Sequence, residues 1–175
     1  ESLVSSVDSH GELTLQQELG HSCNNYFANP ALDIGAEALQ EKAEEMGFGE
    51  SFQFDSITTH VSQIDLSDAS DLELAWSSVG QAEVMANPYH MALLMGAIAN
   101  GGTTPEPYLM GGGTRTEYTL TDSTTAAALH EMMRNSVANY YGDSMFGGYT
   151  VCAKTGTAEL DDQNPNCWIV GFSDD

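Results

Sequence analysis

The chain has 175 residues, of which 26 are acidic and 4 basic, so its formal net charge is −22. Hydrophobic residues make up 41% of it, which suits one folded domain and excludes a disordered tail or a small disulfide scaffold. So few cations exclude a basic surface for nucleic acid, and no apolar run is long enough for a membrane span. A membrane anchor is therefore expected only outside this sequence, and the three cysteines indicate neither a disulfide framework nor a zinc site.

The first two predicted elements are helices whose ends are marked in the sequence. Thr14 with Gln17 three residues later has the form of a capping box, in which two side chains satisfy free backbone groups at a helix start. That helix is predicted to end near 22–24, where small polar residues weaken helix propensity. A second helix is predicted over 36–46, because its apolar residues share one face and Gly47 follows them.

The middle of the chain predicts a surface loop, a buried helix and a second loop. Residues 50–71 are polar and irregular, which is typical of a loop with a short helix after it. Asn87 followed by Pro88 predicts a helix start, and this helix ends before the glycines at 101–102. Residues 103–114 are rich in Gly and Pro and predict a connection. The expected buried stripe of the helix is Met91, Leu94, Met95 and Ile98.

The last third of the chain predicts a helix and then a β-hairpin. The helix runs over about 123–140, and strands are predicted over 149–157 and 168–172 with 161–166 as the loop between them. The residues expected to face inward from the helix are Ala126, Leu129, Met133 and Val137. The predicted fold class is therefore α/β in the α+β sense, a helical body followed by a hairpin.

The last predicted strand is apolar on both faces. Alternation places Trp168, Val170 and Phe172 on one face, and Cys167, Ile169 and Gly171 on the other. Such a strand is typical of the interior of a larger, covered sheet, and a lone two-stranded hairpin is marginally stable. We therefore expect residues 1–175 to be an incomplete piece of a longer domain.

The sharpest chemical signal is the string Lys154-Thr155-Gly156-Thr157 at the end of a predicted strand. Alternation places the hydroxyls of Thr155 and Thr157 on one side, where both can bind one carboxylate. Gly156 has no Cβ, so an extended substrate can approach the backbone and pair along the strand edge. Lys154 adds a positive charge beside that anion. The string therefore predicts a site for a ligand that carries a carboxylate.

Ser22-Cys23-Asn24 is a weaker signal, because a frayed helix end would also explain it. Together with the string at Lys154, it offers a hydroxyl and an amide to the same cleft. Serine–lysine acyl transfer uses such a set: a nucleophilic Ser with a Lys base, a Ser-x-Asn hydroxyl and amide, and a Lys-Thr-Gly strand.

On these residues the chain resembles the transpeptidase domains of class B (monofunctional) penicillin-binding proteins. The resemblance covers most of the 175 residues, with matching order and approximate spacing. The segments that carry it are 13–15, 22–25, 35–39, 46–49, 78–81, 87–88, 91–92, 97–102, 154–159 and 168–172. It implies the serine transpeptidase and β-lactamase-like fold, no cofactor, and a place on the extracytoplasmic face of the cell membrane.

The resemblance also implies roles for the motif residues. Ser22 would relay a proton between the nucleophile region and Lys154, and Asn24 would hold an amide of the substrate. Thr155 and Thr157 would bind the terminal carboxylate of a D-Ala-D-Ala stem peptide or a β-lactam, and the Thr157 N–H would be one oxyanion donor. The parent protein would cross-link peptidoglycan, with partners in the division or elongation machinery.

One motif of the family is absent from this sequence. Ser-x-x-Lys does not occur, because Leu39 and Val151 stand three residues before the lysines at 42 and 154. The family places that motif before Ser-x-Asn, so we expect the nucleophile upstream of Glu1, and the last strand and helix of the domain after the final residue. The 175 residues alone are predicted to form no acyl-enzyme.

Two other functions stay open at this point. A D,D-carboxypeptidase or β-lactamase on the same fold would pass the acyl group to water. A non-catalytic relative that binds wall fragments or β-lactams would need no nucleophile.

No other motif indicates a functional site, and no metal is predicted. The five histidines lack ligand spacing, which indicates surface or helix-face positions. Asp162, Asn164 and Asn166 imitate the start of a calcium loop but lack its glycine and its glutamate. Ala82 stands where the family commonly has a second glycine after Gly80-Gln81.

Overall fold

The computed structural model describes residues 11–109, 115–160 and 164–175. The α-helices in these ranges are α1 (Leu15–His21), α2 (Asn24–Ile34), α3 (Ala36–Glu45), α4 (Asp71–Ser77), α5 (Pro88–Ala99) and α6 (Ser123–Ser136). A π-helical turn, Val137–Tyr141, continues α6, and a 3-10 turn, Asp143–Phe146, follows it. Across the described ranges, no helix has both the length and the apolar character that a membrane crossing requires.

The strands of the described ranges form two-stranded antiparallel sheets. They are β1 (Gln53–Phe54) with β2 (Ile57–Thr58), β3 (Thr103–Pro105) with β4 (Glu117–Thr119), and β5 (Val151–Ala158) with β6 (Asn166–Ser173). In the β5–β6 hairpin, Val151 lies opposite Ser173 and Ala158 opposite Asn166. This mixture of helices and strands confirms the predicted α/β class.

Side-chain caps explain where two of the predicted helices, α1 and α5, begin. Thr14 accepts a hydrogen bond from the Gln17 N–H, and the Gln17 side chain accepts one from the Thr14 N–H, so the predicted capping box is confirmed. Asn87 accepts from the Tyr89 N–H at 2.9 Å, with Pro88 in the first turn of α5. Each such cap stabilises a helix start by about 1 kcal/mol.

Helix α5 lies at the centre of the hydrophobic core. The predicted stripe is confirmed at Leu94 and Ile98, which are at most 5% exposed, and at Met95, which is also buried, whereas Met91 is only half-buried. The α6 segment buries three of its predicted residues, Ala126, Met133 and Val137. Its Leu129 is partly buried and packs against the hydrophobic core. The buried cluster consists of Phe52, Leu93, Leu94, Met95, Ala97, Ile98, Leu120, Met133 and Cys152. Because Cys152 belongs to β5, this core supports the strand that carries Lys154.

His90 lies on the buried face of α5 and is 1% exposed. Its Nε2 lies 2.8 Å from the Met46 carbonyl oxygen, so this nitrogen carries the proton and donates. Nδ1 therefore accepts from the Ser62 hydroxyl at 2.7 Å. The rings of Phe48 and Phe52 pack against the imidazole, and burial lowers the pKa of His90.

The sequence prediction omitted α2 and the hairpins β1–β2 and β3–β4. Helix α2 contains Pro30 and three asparagines, which are weak helix formers, and it packs against α4. Its stability therefore comes from tertiary packing, which local propensity does not report. The predicted connection 103–114 contains β3, and its residues 110–114 lie outside the described ranges.

Strand β6 shows the predicted alternation. Trp168, Val170 and Phe172 are half-buried, whereas Cys167 and Ile169 are exposed, Ile169 by 59%. In the described part of the chain β6 pairs only with β5. The expectation that further strands complete a longer domain stays a prediction. The loop predicted over 161–166 begins outside the described residues, at 161–163, and ends inside β6.

Candidate functional site

Ser22 lies at the corner between α1 and α2. It has left-handed backbone angles, φ 55° and ψ 46°, which cost a non-glycine residue about 1–2 kcal/mol. The Ser22 N–H donates to the Leu19 carbonyl and the Cys23 N–H to the Glu18 carbonyl, each at 3.1 Å, and these bonds close the last turn of α1. The chain then turns into α2 instead of continuing α1. This corner leaves Ser22 exposed.

Lys154 of β5 reaches this corner from 132 positions further along the chain. Its Nζ donates to Ser22 Oγ at 2.5 Å and to the Thr155 carbonyl oxygen at 2.7 Å. Two of the three ammonium hydrogens are therefore used, and one is left for another acceptor. Of the side chains that the sequence predicts to share a cleft, Ser22 and Lys154 are in direct contact.

The charge of Lys154 is not matched by a carboxylate of the described residues. The other three cations of the chain have partners: Glu45 for Lys42, Asp143 for Arg134, and the ring of Tyr108 for Arg115 at 3.7 Å. Lys154 makes its hydrogen bonds to a hydroxyl and a carbonyl, and no ion pair within this part of the chain. In a chain of net charge −22, this leaves one half-buried ammonium open to an anion.

Thr155 and Thr157 lie on one face of β5, as alternation predicts. The register pairs Thr155 with Ile169 and Thr157 with Cys167, so these four side chains project from the same face of the hairpin. Both threonines are exposed. Two hydroxyls, two positions apart on this strand and directly after Lys154 in the sequence, are thus accessible to a ligand.

Gly156, between the two threonines, is not required by packing. It lies opposite Trp168, and a Cβ added to it would come 3.7 Å from the Trp168 Cβ, which is an ordinary contact. By contrast, a Cβ added to Gly20 would lie 2.2 Å from the Tyr140 ring. The described neighbours of Gly156 therefore leave room for a side chain, and the glycine needs another explanation.

Asn24, unlike Ser22, has no hydrogen bond from its side chain to β5. It is the first residue of α2, and its exposed side chain makes no hydrogen bond within the described ranges. Its position two residues after Ser22 is consistent with the same cleft. Its role in binding an amide stays a prediction.

Gln81 contacts the site, although no sequence pattern predicts a role for it there. Its Nε2 donates to the Thr157 carbonyl oxygen at 3.3 Å, across 76 positions of sequence. The loop that carries it has φ 82° at Gly80 and φ 52° at Ala82. The second glycine common in the resembling family is thus explained by a left-handed position, which Ala82 occupies with strain.

Tyr141 is the second contact that the sequence did not indicate. It ends the π-helical turn after α6, and its hydroxyl lies 3.2 Å from Thr155 Oγ1 and 3.3 Å from the Thr155 N. No motif or spacing marks this tyrosine. Only the packing of the π-helical turn against β5 reveals it.

Away from this site, His130, Cys152 and Asp174 form a group of three potential metal ligands. Their ligand atoms lie within 4.8 Å of one another. His130 pairs with Asp174 at 3.0 Å, and the Cys152 thiol donates to the same carboxylate at 3.7 Å. Burial and the nearby carboxylate raise the pKa of Cys152 to about 11, so the thiol is protonated near neutral pH. The group therefore links α6 to the ends of β5 and β6.

Comparison with known proteins gives one consistent result. The family model for the penicillin binding protein transpeptidase domain matches residues 4–175. Penicillin-binding protein 3 of Bacillus subtilis (strain 168) is 28% identical over 174 residues, which are 92% of this chain and 26% of that protein.

Two solved structures agree with this match. The D,D-transpeptidase domain of a peptidoglycan glycosyltransferase from Eggerthella lenta aligns with a TM-score of 0.79 at 28% identity, over 95% of this chain and 46% of that chain. Penicillin-binding protein A from M. tuberculosis, as its penicillin G acyl-enzyme complex, aligns with a TM-score of 0.80 at 25% identity, over 94% and 40%. The chain thus spans between about a quarter and a half of the length of these three relatives.

Proposed function

Since this chain belongs to the penicillin-binding protein transpeptidase domain family, we propose that it forms part of a serine D,D-transpeptidase that cross-links peptidoglycan on the outer side of the cytoplasmic membrane. The observation that carries the proposal is the bond from Lys154 to Ser22, with the exposed residues Thr155 and Thr157 following Lys154 on the same strand. Two relatives support it, because one is a D,D-transpeptidase domain and the other was captured as a penicillin G acyl-enzyme.

The proposed substrate group is the terminal carboxylate of a D-Ala-D-Ala stem peptide, and a β-lactam carboxylate would take the same place. Lys154 offers a charge without a carboxylate partner among the described residues, and Thr155 and Thr157 offer two donors. Gly156, which packing does not require, lets the peptide backbone approach β5 closely. Three adjacent features therefore suit one extended anion.

The proposed reaction is acyl transfer through a serine ester. The nucleophile belongs to a Ser-x-x-Lys motif outside these 175 residues; its oxygen attacks the carbonyl of the penultimate D-Ala. The C–N bond to the terminal D-Ala breaks, and the serine proton passes to the departing nitrogen. An amine of a neighbouring stem peptide then attacks the ester, which forms the cross-link and returns a proton to the serine.

Ser22 is proposed to carry the proton in this transfer. Its oxygen accepts from the Lys154 ammonium, so its own hydrogen is free to donate towards the leaving nitrogen. Ser22 takes a replacement proton from Lys154, and the proton that the nucleophilic serine loses restores Lys154, so that one proton in all reaches the leaving nitrogen. Asn24 is proposed to hold an amide of the substrate from the start of α2.

The test is penicillin labelling of the full-length protein that contains this sequence, with the intact mass measured before and after. We expect one adduct, on a serine of Ser-x-x-Lys that precedes residue 22. A folded protein without an adduct, and without that motif in its full sequence, would contradict the proposal and favour a non-catalytic binding relative.

A second assay separates the transpeptidase from hydrolases on the same fold. The acyl-enzyme formed with a D-Ala-D-Ala thioester analogue is offered an amine acceptor at increasing concentration. We expect the amide product to grow at the expense of the free acid. If water takes the acyl group at every acceptor concentration, the protein is a carboxypeptidase or a β-lactamase.

A further inference from the structure

The π-helical turn Val137–Tyr141 contacts the two elements that form the proposed site, α1 before Ser22 and the strand β5. The Gly142 N–H donates to the Val137 carbonyl oxygen at 2.8 Å, five residues back, which widens the helix at this point. Such single π turns are frequent at functional sites, because they change the direction of successive side chains. Here the two last residues of the turn, Tyr140 and Tyr141, contact different elements.

Tyr140 anchors the turn against α1. Its ring meets the ring of His21 edge to face, with centroids 4.8 Å apart. It also lies so close to Gly20 that a Cβ there would come 2.2 Å from the ring. Both contacts involve the last turn of α1, directly before Ser22. Tyr140 therefore holds the turn at the corner that presents the Ser22 hydroxyl.

Tyr141 bonds to the residue that is proposed to recognise the carboxylate. Its oxygen accepts from the Thr155 N–H at 3.3 Å, and the same oxygen lies 3.2 Å from Thr155 Oγ1. A carboxylate accepts hydrogen bonds only, so a bound carboxylate requires the Thr155 hydroxyl to be the donor. The phenol then donates to Thr155 Oγ1. The result is a chain of hydrogen bonds from Tyr141 through Thr155 to the ligand, in which each bond polarises the next.

We propose that Tyr141 is a positioning residue for carboxylate recognition, which acts by orienting the hydroxyl of Thr155; this rests on the function proposed above. Without the phenol, the Thr155 hydroxyl can rotate, and the Thr155 N–H loses its acceptor. The loss then falls on ligands that carry a carboxylate. A general role in folding would affect every ligand equally.

The experiment compares Tyr141→Phe with Tyr149→Phe in the full-length protein. Tyr149 is 62% exposed and lies outside the site, so its substitution removes the same atom elsewhere. The probes are benzylpenicillin and its methyl ester, which lacks the anionic carboxylate. Second-order acylation rates are measured by competition with a fluorescent penicillin, and thermal unfolding is recorded for each variant.

We expect Tyr141→Phe to lower the rate for benzylpenicillin by about three- to tenfold, the effect of one net hydrogen bond, and to change the rate for the ester less than twofold. Tyr149→Phe should change neither rate. In a Thr155→Ala background, Tyr141→Phe should add no further loss, because its effect is transmitted through that hydroxyl.

Three results would overturn the proposal while the wild type still acylates. These are a Tyr141→Phe rate equal to that of Tyr149→Phe, an equal loss for acid and ester, or a loss that adds fully to that of Thr155→Ala. A wild-type protein that is folded but not acylated would instead overturn the proposed function, and this inference with it.

Discussion

Replacing Lys154 by methionine tests whether the ammonium serves catalysis rather than folding. Methionine has nearly the same length but neither charge nor donors. The substitution removes the bonds from Nζ to Ser22 Oγ and to the Thr155 carbonyl. The matched control is Lys42→Met, because Lys42 lies on the exposed side of α3 and its contact with Glu45 is an exposed i,i+3 ion pair of little energetic value.

The expected loss of activity follows from the bond to Ser22. A hydrogen bond to a charged group contributes about 1.5–3 kcal/mol, and each 1.36 kcal/mol changes a rate tenfold. The second-order rate of acylation by penicillin should therefore fall by about 10- to 150-fold. The melting temperature should not fall with the activity. A half-buried ammonium without a carboxylate partner among the described residues is costly to desolvate, so Lys154→Met should melt at the same temperature as the wild type or higher.

The assay combines fluorescent-penicillin labelling of the full-length protein with thermal unfolding of the same samples. Lys42→Met should match the wild type in both measurements. A folded Lys154→Met protein that acylates as fast as Lys42→Met would refute the assignment of Lys154 to the site. If Lys154→Met both melts at a much lower temperature and acylates much more slowly, unfolding explains the lost activity, and the lysine serves the fold.

Four further outcomes are expected. Burial lowers the pKa of His90, so the unfolded chain binds the proton more readily than the folded chain. The free energy of unfolding should therefore fall as the pH drops below about 6.5, the pKa of histidine in the unfolded chain. A pH profile of stability that His90→Gln leaves unchanged would contradict this. A maleimide should modify exposed Cys167 first and buried Cys152 last. Excess penicillin should slow the reaction of Cys167, which lies opposite Thr157, but not that of Cys152; mass mapping checks this. Ala82→Gly should relieve the backbone strain of a left-handed conformation and raise the free energy of unfolding in urea by about 0.5–1 kcal/mol. A destabilised variant would show that Ala82 is not strained. Gly156→Ala should melt close to the wild type yet acylate at least tenfold more slowly, about 1.4 kcal/mol, and an unaffected rate would mean that no ligand backbone approaches this strand.

Local chemistry in the sequence determined the helix starts and the order of residues along the strands. Thr14 and Asn87 cap helices because their partners are three or fewer residues away, so the signal is complete within one turn. The shared face of Thr155 and Thr157 follows from the two-residue period of a strand in the same way. The family was also recognisable from its ordered motifs, and the match over residues 4–175 confirmed it.

Only the tertiary structure decided which distant side chains meet. The bond between Ser22 and Lys154 spans 132 positions, and the bond of Gln81 spans 76. Tyr141, at the end of the π turn that continues α6, meets Thr155 of β5. Helix α2 likewise depends on packing against α4 more than on the propensity of its residues. Contacts of this kind arise when whole elements pack to bury their apolar faces, and no local pattern encodes that arrangement. The sequence by itself therefore determined which chemical groups the site can offer, and the packing of α1, α6 and β5 determined that Ser22, Lys154 and Thr155 lie together.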